Sequence, residues 1–524
     1  MFKMKKYSIL PVIILSVAPV FAQETYENAN IATEDLNGTA RYVGMGGALD
    51  ALGADISTIG TNPAGIGLFR KSNASLSFGL VTQPEVSSFG GGNKTNMSFD
   101  QVGFVWANQI SETDFVNFGF NYHKSRNFNQ ILSVAHSLDN ASQNKATTTK
   151  NDNGLLFPEK TSNGSTVPDF DNSYASCTIL DDLYARNLNY NATDNQWYFY
   201  NGEEYAFDRS QTGYIAEYDF NLSGAIDNTF YWGVTLGIHD VNYSRYTMYS
   251  ENLIGGIGGV PTAYGVTIED DRDIKGTGYN LKFGAIFRPI EESPFRFGVS
   301  IATPTWYNLR TTSITTFNDN TGWNDETVDE YKFKVYTPWK FGLSLGHTID
   351  DYLALGLSYE FADYSATDSR VLRDGYYDEY ESSESDKEMN RHTEKTLKGV
   401  STLKVGAELK PSPEMSVRLG YNYVSPMYNK DAFKDSWIES NGSYHSSSSD
   451  YTNWEATHRI TCGLGYQINS WNVGLSYQYS VQNGRFAPFD SYTDSEDAAY
   501  DNIADLVKVS NKRHQLLFTL GYVF

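Results

Sequence analysis

Cationic side chains on alternating segments are the first candidates for chemistry in this chain of 524 residues. Where apolar and polar residues alternate, one face of a β-strand is apolar and the other is polar. A lysine or arginine on the polar face could hold a carboxylate through charge-assisted hydrogen bonds. The same charges could instead pair with acidic side chains on that face, such as Glu217, Asp219 and Glu408. The candidates are Lys282, Lys340, Lys404 and Arg418.

The eight histidines give little indication of catalysis. Only His123 and His239 fall near the polar faces of alternating runs, and no Ser/His/acid or Asp/His spacing stands out. A hydrolytic enzyme is therefore the weaker alternative, and we predict no catalytic residues, no cofactor and no metal site. The fragment at residues 318–320, Asn-Asp-Asn, lacks the rest of a calcium-binding loop.

The first residues have the features of an export signal. Lys3, Lys5 and Lys6 form a basic n-region, an apolar run covers residues 9–21, and Ala22 ends a cleavage site. The apolar run is too short, and too interrupted by prolines, to span a bilayer as a helix. We predict a signal peptide at residues 1–22.

Most of the remaining chain alternates with a period of two. Fourteen such runs are bounded by turn residues, and aromatic residues lie near the ends of many apolar faces. The opposite faces carry Gly, Ser, Asn, Thr or charge, and the mean hydropathy is −0.45. We therefore predict an all-β fold, a transmembrane up-and-down antiparallel β-barrel with a wet interior. A soluble sandwich or propeller would bury a dry core instead.

Short and long connections alternate along the chain. Six short turns and seven long loops are what fourteen strands require, with both chain termini on the short-turn side. Outer-membrane barrels place short turns in the periplasm and long loops outside, so we predict an outer-membrane protein with periplasmic N- and C-termini. The short turns lie near residues 111–114, 227–228, 289–294, 350–351, 411–414 and 468–470, and the long loops cover about 82–95, 128–212, 245–273, 310–330, 367–398, 427–455 and 484–510.

The last strand ends on an aromatic residue, Phe524. Pairing of this strand with the first one would remove the open edges of the sheet. The ending is similar to the signal with which bacterial outer-membrane proteins engage the barrel-assembly machinery. Its apolar face carries Leu516, Phe518, Leu520, Tyr522 and Phe524.

The longest predicted loop contains two segments with helical spacing, at residues 131–138 and 174–188. The two helices could pack on each other over the barrel mouth. Alternatively, they could form an outer apolar groove where a hydrophobic ligand first binds. The residues of that groove would be Ile179, Leu180, Leu183 and Tyr184.

The chain is strongly acidic, with a formal net charge of −23. Such a charge makes it a poor nucleic-acid binder. The acidic residues fall mainly in predicted loops, where they form a solvated surface or bind divalent cations that bridge to lipid headgroups. Cys462 falls on a lipid-facing position and Cys177 in a long loop, so we predict no disulfide between them.

Residues 38–80 join a compact segment to the first strand. Up to Gly65 the segment is rich in Gly and Ala and does not alternate, whereas alternation begins at Ala74. Small residues allow close packing against a wall, and Pro63 produces a rigid bend that moves Asn62 away from helical geometry. We predict a plug, or hatch, at residues 23–72 inside a barrel formed by residues 73–524. Residues 62–64 either stiffen this plug or act as its gate.

The same segment resembles the long-chain fatty-acid transporter (FadL) family of outer-membrane proteins, which includes importers of toluene and other aromatic hydrocarbons. This resemblance implies fourteen strands, helical extracellular loops, and a kink in the third strand that opens the wall sideways. It also implies a plug and gate at Gly44, Gly46, Gly47, Asn62, Pro63, Ala64 and Gly65. The matching residues are Gly38, Ala40, Arg41, Gly44, Gly46, Gly47, Ala48, Ala51, Ala54, Asp55, Ile56 and residues 62–65.

The function that this resemblance implies is passive, hatch-gated import of a hydrophobic small molecule with lateral exit through the wall. The ligand would be a long-chain fatty acid or another apolar or aromatic compound. Other expected partners are outer-membrane lipid, lipopolysaccharide and, through the Phe524 strand, the assembly machinery. A surface adhesin or structural barrel that acts through its acidic loops, and a general porin, stay open as alternatives.

Overall fold

The computed structural model describes residues 24–524 except 163, 257–263, 291, 321, 323, 373–381, 436, 441 and 495–496. The predicted signal peptide lies outside the described residues. Fourteen antiparallel strands form one closed barrel, in which each strand pairs with the next and β14 pairs with β1. The predicted fold class, a fourteen-stranded up-and-down barrel, is confirmed.

The barrel strands are numbered in chain order, and four of them are interrupted by a short irregular stretch. They are β1 Asn73–Thr82, β2 Thr95–Gln109, β3 Phe115–Asn127 with Gln130–Ser137, β4 Tyr200–Ile226, β5 Phe230–Gly256, β6 Tyr264–Phe287, β7 Arg296–Ala302 with Trp306–Asp319, β8 Asn324–Tyr336 with Lys340–Ile349, β9 Leu353–Asp363 with Asp368–Leu372, β10 Gly399–Leu409, β11 Met415–Val424, β12 Tyr451–Ile468, β13 Trp471–Ala487 and β14 Val507–Val523.

The described helices lie in the amino-terminal segment and in the long loops. They are α1 Thr25–Ala32, α2 Ala40–Gly44, α3 Gln143–Asp152, α4 Ile179–Tyr184, which continues into a π-helical turn at Ala185–Asn189, and α5 Lys387–Thr396. Short 3-10 helices cover Ile56–Gly60, Pro63–Leu68, Tyr364–Ala366, Ser443–His445 and Ala498–Tyr500. None of the described helices is long and apolar enough to cross a membrane.

The alternation of β5 places apolar side chains outside in the lower half of the barrel, which we define as the short-turn half. Val234, Leu236 and Ile238 are exposed there, whereas Thr235 and His239 between and beside them are buried. An apolar exterior over this stretch matches the roughly ten residues that a strand needs to cross a bilayer.

The alternation inverts in the upper, long-loop half. On β5 the inward side chains of Val241 and Tyr243 are buried and apolar, while the outward Asn242 is exposed. β4 and β5 are each 27 residues long, far more than a membrane crossing requires. The strands therefore continue into water as an extension with an apolar interior and a polar exterior.

This extension corrects two predicted loops and one predicted helix. Residues 245–256 and 264–273 form the upper parts of β5 and β6, and residues 310–319 and 324–330 form those of β7 and β8, where the sequence analysis assigned loops. Residues 257–263, 321 and 323 of those predicted loops lie outside the described residues. Residues 131–137 belong to the upper segment of β3 rather than to a helix. The prediction expected every strand to be apolar outside, a pattern that holds only within the hydrocarbon layer.

The described chain begins and ends at opposite ends of the barrel. A carboxylate oxygen of Glu24 lies 2.7 Å from Nζ of Lys434, which belongs to the long loop after β11. The amide of Phe524 donates to the carbonyl oxygen of Ser72 (3.0 Å) at the lower end. Cleavage after Ala22 would therefore start the mature chain near the upper end, which differs from the predicted placement of both termini at the short turns.

Candidate functional site

Residues 40–68, which we call the plug segment, lie against the inner wall of the lower barrel. A Cβ built on Gly420 of β11 would lie 2.2 Å from the amide nitrogen of Gly46. A Cβ on Gly356 of β9 would lie 1.8 Å from the carbonyl oxygen of Ala48. Larger wall residues would overlap the plug backbone at these points. The glycines that face one another in successive strand pairs here are Gly346, Gly356, Gly406 and Gly420.

The predicted gate tripeptide lies on a second group of wall glycines. A Cβ on Gly284 of β6 would lie 2.0 Å from Oδ1 of Asn62, and one on Gly233 of β5 would lie 2.4 Å from the carbonyl carbon of Pro63. Asn62 Oδ1 also accepts the amide of Ala64 (3.2 Å) and so caps the 3-10 helix Pro63–Leu68. The tripeptide therefore stiffens the plug segment, and its role as a gate stays a prediction.

The other predicted plug residues occupy turns and close contacts. Gly46 and Gly47 have φ angles of 64° and 81°, a conformation that glycine adopts without steric cost. A Cβ on Gly65 would lie 2.4 Å from Oγ1 of Thr58, and one on Gly44 would lie 3.2 Å from the Cα of Gly463 in β12. These glycines let the segment fold compactly within the barrel.

Two of the predicted lumen cations pair directly with the amino-terminal segment. Nζ of Lys340 lies 2.5 Å from a carboxylate oxygen of Glu34. Nζ of Lys404 lies 3.6 Å from one of Asp50. Both lysines extend from the wall towards residues that precede β1, so their charges bind the segment to the barrel.

Arg418 reaches the plug segment through a shared carboxylate. Its Nε donates to Glu408 on the neighbouring strand (2.6 Å), and Nε of Arg41 in α2 lies 3.2 Å from the same oxygen. The guanidinium of Arg41 also donates to the carbonyl oxygen of Ala54 (3.0 Å). The geometry therefore favours the alternative in which these charges hold the interior together.

Lys282 belongs to a buried ionic cluster beside the plug segment. Its ammonium donates to Glu217 and to Asp219 (3.3 Å for Asp219). His123 lies within 3.6 Å of both carboxylates, and His239 Nε2 lies 3.5 Å from Glu217. Glu217, Asp219 and His123 are close enough to hold a metal ion, but the ammonium of Lys282 already supplies a cation between the two acids.

A cluster of packed apolar side chains, which we call the apolar chamber, lies above the plug segment, inside the extension. Its wall combines side chains of β3 to β8, all nearly fully buried, and Ile31 of α1 packs among them. The exposed fraction of Ile31 is 1%. The chamber is therefore occupied by the chain's own helix. Its wall residues are Phe128, Ile215, Val241, Tyr243, Ile274, Tyr307, Leu309, Tyr331, Phe333 and Val335.

A cavity of about 270 Å³ adjoins the chamber and is lined mainly by polar side chains. Within it, Asp35 lies 3.2 Å from Arg126 and 3.5 Å from Arg459. Burial raises the pKa of Asp35, but the charges of Arg126, Arg513 and Arg459 outweigh it and lower the pKa to about 2. Three guanidinium groups thus surround one carboxylate where the amino-terminal segment enters the lower barrel.

The wall is incompletely paired between β2 and β3. Residues 95–99 of β2 pair with β1 but have no partner in β3, Asp100 lies at a bulge, and β3 bulges between Lys124 and Arg126. The amide of Asn37 crosses this gap, donating to Asp100 on β2 (2.9 Å) and to the carbonyl oxygen of Lys124 on β3 (3.1 Å). A residue of the amino-terminal segment therefore joins the two strands above the point where their backbone pairing ends.

The four predicted groove residues are buried in the loop layer. Ile179, Leu180, Leu183 and Tyr184 pack against side chains of β4, β5, β6 and β7, among them Leu253. Their exposed fractions are 6% or less. They anchor α4 to the strands of the extension and leave no open groove among themselves. The alternative of two helices packed on each other is not met either, because residues 131–137 form a strand.

Comparisons with solved structures give three examples to which this chain is similar. A FadL homologue from Pseudomonas aeruginosa is 13% identical and covers 94% of this chain and 99% of its own, with a TM-score of 0.48. The toluene transporter TbuX from Ralstonia pickettii is 13% identical and covers 93% of this chain and 99% of its own, with a TM-score of 0.46. The toluene transporter TodX from P. putida is 11% identical and covers 94% of this chain and 99% of its own, with a TM-score of 0.45. The chain resembles the FadL family. No protein-family model matches the sequence, and no curated protein sequence matches it.

Sequence reasoning missed the residues that fill the lumen from the amino-terminal side. Ile31 and Asn37 precede the Gly/Ala-rich stretch and belong to no motif. The available signal was the run of apolar inward positions on the extended strands, such as Val241, Tyr243 and Ile274, which require an apolar partner inside. The partners of the lumen cations, including Glu34 and Asp50, could not be identified without the three-dimensional arrangement.

Proposed function

We propose that this protein is an outer-membrane channel that admits hydrophobic small molecules, long-chain fatty acids or aromatic compounds, without coupling to an energy source. The observation that carries the proposal is the apolar chamber above the plug segment. Ten buried apolar side chains pack with Ile31 of α1 into one cluster, so a ligand that displaced Ile31 would contact an apolar surface. A water-filled pore would not offer an apolar solute such an environment.

The path that we propose begins at the long loops and leads through the chamber. The plug segment lies against glycines of the lower barrel wall, and in the path that we propose this segment must move before a ligand can pass straight through. The unpaired edge between β2 and β3 offers a second route, because among the described residues side-chain hydrogen bonds, such as those of Asn37 and Lys124, connect the two strands there in place of backbone bonds. We propose that the ligand leaves sideways through this edge when the amino-terminal segment shifts.

The plug segment makes a general porin a poorer explanation than a gated channel. Its backbone lies in contact with β8 to β11 and, at Asn62 and Pro63, with β5 and β6. Ion pairs from Lys340, Lys404 and Glu408 add to those contacts. An open diffusion pore of useful width would need these contacts to be absent.

The test is uptake of radiolabelled oleate and radiolabelled naphthalene by cells that lack the gene and carry a plasmid copy. Leu309→Asp places a carboxylate in the chamber wall, where an unpaired charge is strongly unfavourable, so it should abolish uptake of whichever compound the wild type imports. Ile314→Asp is the matched control, because Ile314 lies on the same strand but faces solvent. Equal uptake by both variants at equal surface amounts would contradict the proposal.

A further inference from the structure

We infer that the upper lumen contains a binding site for a ligand that carries an aromatic ring flanked by carboxylates, and that α1 is its resident occupant. The site, which we call the α1 socket, is formed by Arg272, Tyr428, Lys434, Tyr451 and Asn453. The inference does not rest on the proposed function, because the α1 socket lies beside the apolar chamber and recognises different chemistry.

The aromatic part of the α1 socket holds Tyr26. The ring of Tyr26 stacks on Tyr428, with centroids 5.0 Å apart and planes inclined by 14°, and contacts Tyr451 at 5.5 Å. Its hydroxyl donates to Oδ1 of Asn453 (2.8 Å). Two rings and one acceptor thus recognise both the face and the polar end of a phenol.

The charged part of the α1 socket lies on either side of that ring. Glu24 pairs with Lys434 at 2.7 Å, and Glu27 pairs with Nη1 of Arg272 at 3.2 Å. The exposed fraction of Arg272 is 2%, and a cation buried this deeply requires an anion beside it. Arg272 also donates to the carbonyl oxygen of His445 and to Ser447, and Lys434 donates to the carbonyl oxygen of Ser448. If α1 left, these bonds would hold the two cations in place while the carboxylates of Glu24 and Glu27 were lost.

The resident occupant fits imperfectly. One carboxylate oxygen of Glu27 and Nε of Arg272 are buried and have no hydrogen-bond partner among the described residues. α1 has eight residues and no side-chain cap at its start, and an isolated helix of this length is unstable in water. The strands and loops set the geometry of the α1 socket, and α1 adopts its shape by docking there.

The α1 socket is connected to open space. The cavity of about 270 Å³ is lined by Tyr26, Tyr428, Lys434 and Tyr451 among others, so a ligand could approach while the barrel stays folded. Because α1 is tethered to the barrel, it competes with a free ligand for the α1 socket at a high effective concentration. A free ligand binds only the molecules in which the α1 socket is empty, so its apparent affinity is the intrinsic affinity multiplied by that empty fraction.

The experiment is fluorescence anisotropy with a labelled tetrapeptide, Glu-Thr-Tyr-Glu, titrated with the full-length protein in detergent. The double variant Tyr26→Ala, Glu27→Ala weakens the resident segment and leaves the α1 socket intact, so it should bind the peptide at least about tenfold more tightly than the wild type. Adding Arg272→Gln or Tyr428→Ala to that variant should abolish the gain. Tyr174→Ala, in an exposed loop, should leave the wild-type affinity unchanged.

A second measurement uses the unmodified protein. Excess peptide should release α1 and increase cleavage after Glu27 by a glutamate-specific protease, while the peptide Glu-Thr-Ala-Glu should not. Unchanged peptide affinity in the folded double variant, together with unchanged cleavage in the wild type, would overturn the inference. Equal effects of the two peptides would overturn it as well, because the ring would then contribute nothing.

Discussion

At the residue scale, Gly284 shows how one missing side chain determines whether the plug segment fits. A side chain at this position would overlap Oδ1 of Asn62, which lies 2.0 Å from the expected Cβ. Asn62 and Pro63 are fixed by the 3-10 helix that follows them, so they cannot yield without moving the segment. Overpacking of a close contact costs about 1–3 kcal/mol.

We therefore predict that Gly284→Val displaces the plug segment and makes the outer membrane leaky. Cells that carry the variant should become several-fold more sensitive to vancomycin, which is too large and polar to cross an intact outer membrane. Gly521→Ala on β14 is the control, because its Cβ would meet nothing closer than 3.5 Å. Wild-type resistance of a correctly assembled Gly284→Val barrel would mean that the wall contact does not position the plug.

At the element scale, the edge between β2 and β3 is the weakest part of the wall. Hydrogen bonds between these strands end at Gln101 and His123, and above this pair the contacts come from side chains. Nζ of Lys124, for example, donates to Oγ of Ser98 (3.0 Å). A sideways exit would have to open here.

We predict that a short bifunctional maleimide between cysteines introduced by Ser98→Cys and Lys124→Cys stops ligand uptake. The cross-link would bridge the two strands where no backbone bonds hold them. Asn108→Cys with Val116→Cys is the matched control, because those residues are register partners near the short turn. Undiminished uptake by the cross-linked gap variant would contradict lateral exit.

The docking of α1 should depend on pH. Burial raises the pKa of Glu24, but the charge and hydrogen bond of Lys434 outweigh it and hold the pKa below its ordinary value of 4.5. A carboxyl with a lowered pKa stabilises the docked state above the ordinary value, and this contribution is lost as the pH falls through the lowered pKa.

We therefore predict that α1 becomes less protected from hydrogen exchange as the pH falls below about 4.5. The measurement is hydrogen exchange of residues 25–32, corrected for the intrinsic rate at each pH. Glu24→Gln should remove most of this pH dependence, and protection of residues 25–32 should be lower than in the wild type at every pH at which Glu24 is ionised. The same pH dependence in the variant would show that another group controls docking.

At the scale of the whole molecule, the sequence predicted the parts that follow a repeating rule. Runs such as Leu353 to Phe361, apolar at every second position, established the strands and their number. The rule failed where the environment of the strand changes. Above His239 the outer face of β5 meets water, so the apolar residues Val241 and Tyr243 point inward, whereas those below His239 point outward. Residues 131–137, predicted as part of a helix, form a strand whose Leu132 and Val134 pack in an apolar cluster of the extension.

The candidate site was predictable only in part. The Gly/Ala-rich stretch and residues 62–65 indicated close packing, and the wall glycines opposite them meet that requirement. The four lumen cations pair with carboxylates inside the barrel, and a role for them in ligand contact stays a prediction. Several of their partners depend on how the amino-terminal segment passes through the barrel. Ile31, Asn37 and Tyr26 have no local pattern that would identify them, since their roles come from contacts with strands hundreds of residues away.

We propose above all that the plug segment closes the lumen of a membrane-spanning barrel. Single-channel recording of the purified protein in planar bilayers tests it most directly. If the plug segment closes the lumen, the wild type should show no steady open-pore current and Gly284→Val should show a resolved conductance. A large, steady conductance in the wild type would contradict it.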